Sequence, residues 1–177
     1  MKKWLAILFF VGFQCLAQNK SSDAAQTMPS KEEFSELLSK ADQQVSAFER
    51  TVKTVTPSSD GPISDLATKG LEAASAAHTI ISAQQRNGPT GYGLVTLVVT
   101  LDDLNSNAIR SALVLVSTDR DKIAAGGRPD PNLPSFVLAL STAGSSCNDI
   151  AELIMHATLR YLSVEETILG ELLDGKK

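Results

Sequence analysis

Residues 30–56 read SKEEFSELLSKADQQVSAFERTVKTVT, and their apolar side chains recur at steps of three and four. That spacing predicts an α-helix of about seven turns with one apolar stripe. Ser30 followed by Glu33 is the pattern of a capping box, which starts a helix. Pro57 disfavours helical geometry in the preceding residue, so the helix is expected to end by Thr56. The stripe comprises Phe34, Leu37, Leu38, Ala41, Val45, Phe48, Val52 and Val55.

A second amphipathic helix is predicted over residues 62–86, after a turn that reads SSDGP. Many residues of its apolar face are small, so a neighbouring helix can approach closely. The sequence Asn87, Gly88, Pro89 then ends the helix. The expected inward residues are Ile63, Leu66, Gly70, Ala73, Ala74, Ala77, Ile80 and Ile81.

Residues 94–101 read LVTLVVTL, and a run of this kind fits a buried strand as well as a buried helix. Thr96, Thr100, Asp103, Asn107 and Arg110 recur at helical spacing, which favours a helix that Gly126 and Gly127 end. A kink or break is expected at residues 102–107, where polar residues cluster. The expected inward residues are Leu97, Leu101, Leu104, Ala108, Ala112, Leu115 and Ile123.

Residues 126–145 are expected to form a loop, because they follow the two glycines that end the third helix and contain three prolines. At about 20 residues it exceeds the usual 2 to 8 of helix connections. Residues 134–140 are predicted to form one short helical turn inside it, and Ser146 with Asp149 to begin the last helix, which Gly175 ends. That helix carries the stripe Cys147, Ile150, Ile154, Ala157, Tyr161, Val164, Ile168 and Leu172.

Four amphipathic helices, each with one face to bury, predict an all-α fold. The expected architecture is an antiparallel up-down four-helix bundle, because short connections join neighbouring helices head to tail. Residues 30–177 are expected to form a single domain, which at this length buries enough surface to need no disulfide or metal.

The first residues read MKKWLAILFFVGFQCLAQNK, in which two lysines precede an apolar run and a small-residue cleavage site. This pattern predicts a signal peptide at residues 1–17, cleaved after Ala17 and removed on export to a periplasm or beyond. The apolar run is about 10 residues, whereas a membrane span needs about 20. Lipidation at Cys15 and an uncleaved anchor are the alternatives. Residues 18–29 are expected to form a flexible polar tail.

Charge argues against a nucleic-acid partner. Without residues 1–17 the chain keeps 14 of its 16 basic residues and all 20 acidic ones, a net charge of −6. Nucleic-acid binding requires a concentrated basic face, and the lysines and arginines here are scattered among acids.

Cys147 is the only cysteine beyond residue 17, so the processed chain can form no internal disulfide. Its position on the apolar stripe of the last helix favours a buried structural cysteine. The alternatives are a disulfide to another chain and a thiol activated at a helix N-terminus.

Few residues are suited to binding a metal or cofactor or to catalysis. We therefore expect no metal site, no cofactor and no catalytic site. Glu152 and His156 are four apart and occur once, unlike the paired Glu-x-x-His of di-iron bundles. His78 and His156 are the only histidines and are the candidate axial ligands if the bundle carries a non-covalent haem or another small ligand. No nucleophile with a base and an orienting group is recognisable, so an enzyme is the least favoured class.

The loop is the candidate binding site. In an up-down bundle it shares one end with the turn between the first two helices, which brings together Asp60, Arg128, Asp130 and Asn132. Its prolines stiffen it at low entropic cost. We therefore expect this end to bind a protein partner; the alternative is a packed lid over the core.

The function favoured by the sequence is that of an exported, non-enzymatic interaction protein, of the inhibitor, immunity or envelope accessory type. A small-ligand or haem carrier is the second hypothesis.

Overall fold

The computed structural model describes residues 29–55 and 62–174, which form four helices and no strand. These are α1 (Lys31–Val55), α2 (Pro62–Asn87), α3 (Gly91–Ala124) and α4 (Leu133–Asp174). The all-helical prediction is confirmed for this part of the chain. The signal peptide, Cys15, residues 18–28, Asp60 and the helix end at Gly175 lie outside the described residues.

The predicted start and apolar stripe of α1 are both present. The Glu33 backbone N–H donates to Ser30 Oγ at 3.1 Å, so Ser30 caps the helix. The Glu33 carboxylate accepts from Arg160 of α4 and thereby ties the helix start to a neighbour. A backbone hydrogen bond and then the Ser30 hydroxyl lower the pKa of Glu32. The residues that α1 buries are Phe34, Leu38, Ala41, Val45, Phe48, Val52 and Val55.

Residues 94–101 belong to α3, which confirms the prediction of a helix over a strand. The predicted break at residues 102–107 is wrong, because α3 is continuous through them. Two asparagines of this segment lie between helices rather than interrupting α3. Asn107 Nδ2 donates to the Leu66 carbonyl of α2 at 2.9 Å, and Asn105 lies beside Gly144 of α4.

The predicted loop at residues 126–145 is also wrong. The last helix begins at Leu133, so Ser146 is an interior residue of α4 and not a cap. Pro134 falls in the first turn, where a missing N–H costs no helical hydrogen bond. Gly144 lies where α3 crosses: an added Cβ would be 2.7 Å from the Ala108 Cβ. Its absent side chain therefore permits close packing rather than ending the helix.

Residues 125–132 form the actual connection between α3 and α4. Gly126 ends α3 in the left-handed conformation, with φ of 85°. The Gly126 and Gly127 N–H groups donate to the carbonyls of Ile123 and Lys122, both at 2.9 Å, which completes a Schellman motif. The predicted end of α3 at these two glycines is confirmed.

The four helices bury one shared apolar cluster, to which all of them contribute. Contacts join α1 with α2, α2 with α3, α3 with α4, and α4 with α1. Gly70 of α2 lies where three helices meet: an added Cβ would be 3.4 Å from the Phe48 ring of α1 and 2.6 Å from Asn107 Oδ1 of α3. None of the described helices combines the length and apolar character needed to cross a membrane.

Candidate interaction surface

Of the four residues predicted to bind a partner, Arg128, Asp130 and Asn132 lie in the connection between α3 and α4. Asp130 and Asn132 come together, since the Asn132 backbone N–H donates to Asp130 Oδ1 at 2.9 Å. The Asp130 N–H donates to Oδ1 of Asp119, a nearly buried residue of α3, at 2.8 Å. Arg128 is exposed.

These hydrogen bonds hold the connection itself in shape. Asp119 and Asp130 each accept a backbone N–H within eleven residues of chain, as is common where aspartate stabilises turns. Asp130 and Asn132 thus have a local structural role, and within the described part of the chain no such role is seen for Arg128. Their predicted binding of a partner stays a prediction.

A surface that the sequence analysis did not single out lies on α3. Six large aliphatic side chains on this helix are at least 41% exposed, and we call them the outer face of α3: Val95, Val99, Ile109, Leu113, Val116 and Ile123. Leu113 is the most open of the six, at 64% exposed. Ile123 had been expected to face the core, and this expectation is wrong.

The outer face forms one stripe along the helix. Its members are separated by three, four, seven or ten residues, which are the spacings of positions that share a helix face. Two polar residues, Asp102 and Ser106, occupy the same stripe between Val99 and Ile109, and Arg120 lies between Val116 and Ile123. Asp102 and Arg120 are both exposed.

The opposite side of α3 already belongs to the core. Leu94, Leu97, Leu101, Leu104 and Ala108 are each fully buried. A helix with apolar residues on two faces normally buries both of them, and soluble proteins seldom expose a large contiguous apolar patch unless it binds something. The outer face therefore has the chemistry of a binding surface that complements another apolar face.

His78 lies at the interface between α1 and α2. Its Nδ1 is 2.7 Å from Asp42 Oδ1, and its Nε2 is 3.9 Å from Glu49 Oε1. His156, in contrast, is exposed on α4. A haem bound between two histidines requires both to face one space, and here one histidine faces two carboxylates of α1 while the other faces solvent. Within the described residues no group of three or more His, Cys, Asp and Glu side chains is placed to hold a metal ion.

Cys147 is fully buried in the core. Burial raises the pKa of its thiol to about 12, because the apolar surroundings disfavour the thiolate. The thiol therefore stays protonated near neutral pH, and only the thiolate is a strong nucleophile. This environment matches the expected structural cysteine, whereas a disulfide to another chain would require the residue to reach the surface.

Comparison with known proteins gives no relative for this chain: no protein-family model, no curated protein and no solved structure matches it.

Proposed function

We propose that this protein is a non-catalytic interaction protein that recognises a protein partner through the outer face of α3. The proposed partner element is an amphipathic helix, which lays its own apolar stripe along this face. The observation that carries the proposal is the exposure of six large apolar side chains on one stripe of a helix whose other side is already buried.

The proposed setting is outside the cytoplasm, as an antiparallel up-down bundle released from its signal peptide. The N-terminal pattern of two lysines, a short apolar run and a small-residue site supports export. Contacts between α1 and α2 support a head-to-tail arrangement, because the earlier residue of α1 meets the later residue of α2: Asp42 meets His78, and Phe48 meets Gly70. The proposed class is an inhibitor, immunity or envelope accessory protein, which would act by binding its partner.

The charges on the outer face of α3 favour a protein over a lipid surface as the occupant. A helix that lies on a membrane carries Lys and Arg beside its apolar face. Here the stripe itself carries one acid and one base, Asp102 and Arg120, and both are exposed. A protein helix can place a cation opposite an acid at a fixed position, whereas an anionic membrane would repel it.

Photo-crosslinking in the producing cell tests the proposal. A photoreactive amino acid replaces Leu113 in one strain and Leu138 in another; the two leucines are 64% and 68% exposed, and Leu138 lies on α4. We expect a discrete crosslinked product from position 113 and none from position 138, because only the first lies on the outer face. The same products from both positions, or none from 113, would contradict the proposal.

A further inference from the structure

We infer that the helix bound by the outer face of α3 is α3 of a second copy. The two helices run antiparallel, and their two-fold axis crosses α3 at the level of residue 111. This inference rests on the proposed function, since it names the partner of the same surface. Three properties of the stripe carry it: its spacing, the positions of its two charges and the single alignment that satisfies both.

The spacing is that of a helix pair. Val99, Ser106, Leu113 and Arg120 repeat every seven residues, and Val95, Asp102, Ile109, Val116 and Ile123 form a second series of the same period. Two such series, three and four residues apart, make the seam along which two helices pack with a left-handed crossing. One α3 presents this seam over about four heptads, which is enough for a paired helix.

The charges determine the direction. Asp102 and Arg120 are the only charged residues on the seam. A parallel pair places every residue opposite itself, so it brings two aspartates together and two arginines together. An antiparallel pair can place each aspartate opposite an arginine, and like charges held opposite each other suppress the wrong arrangement.

The charges also determine the alignment. In an antiparallel pair, each layer places a residue of one series opposite a residue of the other series. The two helices can therefore shift along each other only by whole heptads. With the centre on residue 111, the layers are Val99 with Ile123, Asp102 with Arg120, Ser106 with Val116 and Ile109 with Leu113. Shifted by one heptad in one direction, Asp102 faces Leu113 and Arg120 faces Val95; in the other direction, Arg120 faces Ile109 and Asp102 faces no residue of the helix. Shifted by two, the Asp102 side chains of both copies approach the two-fold axis with no cation opposite. Only the first alignment places each acid opposite a base; its other layers are apolar except for one mixed layer, Ser106 with Val116.

Both charges are available for this contact. Within the described residues, Arg120 forms an ion pair with its chain neighbour Asp121 at 3.3 Å, and the two side chains are 78% and 69% exposed. Such an exposed pair contributes little, so Arg120 can turn to a carboxylate of the second copy at small cost. Closing the pair removes the two exposed apolar stripes from water together, which supplies the driving force.

The size of the contact predicts a weak dimer. The shared segment, residues 99–123, is about 36 Å long and a helix is about 10 Å wide, so each copy contributes a strip of about 360 Å². That is under half of the roughly 800 Å² per partner in a standard stable interface. We therefore expect a dimer Kd in the micromolar range, and an exchange of copies that depends on concentration.

The experiment is sedimentation velocity on the protein in the processed form that the cell produces, at concentrations from about 1 to about 200 µM, a range that brackets a micromolar Kd. Four variants accompany the wild type: Asp102→Arg, Arg120→Asp, the double variant that carries both, and Asp103→Arg. We expect each of the first two to raise the dimer Kd at least about tenfold, because it places like charges opposite each other twice per dimer. The double variant restores the pair with its charges exchanged, so its Kd should return to within about threefold of the wild type.

Asp103→Arg is the matched control. It changes the net charge as Asp102→Arg does, one residue away and off the seam, and should leave the Kd within about threefold of the wild-type value. A wild type that stays monomeric throughout, or single reversals that leave the Kd unchanged, would overturn the inference. The proposed function has a separate readout: a crosslinked product from position 113 with the mass of a different protein, together with a monomeric wild type, leaves it standing while the self-pairing falls.

Discussion

Phe48→Ala should lower the free energy of unfolding by about 4 kcal/mol, the largest loss expected from any single truncation of a core side chain in α1. Phe48 is fully buried, and its ring lies against Gly70 where α1, α2 and α3 converge. Because the ring lies where residues of three helices pack together, we expect the cavity not to collapse around alanine, so the substitution loses transfer free energy and leaves a cavity. Urea unfolding followed by circular dichroism at 222 nm measures the change.

Phe136→Ala is the matched control for this prediction. The same substitution is made at Phe136 on α4, where the side chain is only partly buried. Its truncation should cost about half as much or less, because less apolar area returns to water. Equal costs at the two positions would contradict the placement of Phe48 at the centre of the core.

Thr142→Pro should cost about 3 kcal/mol or more, although Thr142 is exposed. The residue lies inside α4, where proline removes a backbone hydrogen bond and its ring clashes with the carbonyl four residues earlier. In a loop, the same substitution would change stability by less than about 1 kcal/mol. The measurement thus separates a helix that begins at Leu133 from one that begins near Ser146.

Thr142→Ala is the control for side-chain loss at that position. Alanine keeps the backbone N–H and favours the helix, so stability should stay within about 0.5 kcal/mol of the wild type. If proline and alanine give the same urea midpoint, the continuous α4 is wrong.

The helices whose apolar residues form one clean stripe could be predicted from sequence. Each residue that α1 buries belongs to the predicted stripe, because a helix with charges on its other faces has only one way to face a core. The segment LVTLVVTL was harder, and the spacing of its threonines decided it correctly. Local periodicity was sufficient in both cases.

The start of α4 could not be predicted in the same way, because Pro134 and Gly144 have local tendencies that the tertiary structure overrides. Proline in a first turn and glycine at a helix crossing look like loop residues until the neighbouring helix is in place. The close approach of Gly144 to Ala108 is a property of two helices and is invisible in either one alone.

The two candidate binding sites, the connection between α3 and α4 and the outer face of α3, also differ in how much of each the sequence reveals. Asp130 suggested a binding residue, but its partners include Asp119, eleven residues earlier, whose burial depends on the packed helices. The outer face of α3 did leave a signal, namely large apolar residues at helical spacing outside the predicted core stripe. Assigning one apolar stripe per helix hid it, since a second stripe matters only for a helix that has a second partner.

Thiol labelling of Leu113→Cys and Leu138→Cys with a membrane-permeable maleimide measures whether a protein covers the outer face of α3 inside the cell. Both variants carry Cys15→Ser, so that the only other thiol is Cys147, which is buried and has its pKa raised to about 12. Cysteine at 138 should be labelled rapidly, because that position is 68% exposed and lies off the outer face. Cysteine at 113 should be labelled several-fold more slowly in the cell, and as fast as cysteine at 138 once the protein is purified and diluted. Equal rates at the two positions in the cell would contradict the claim that this face is a protein-binding surface.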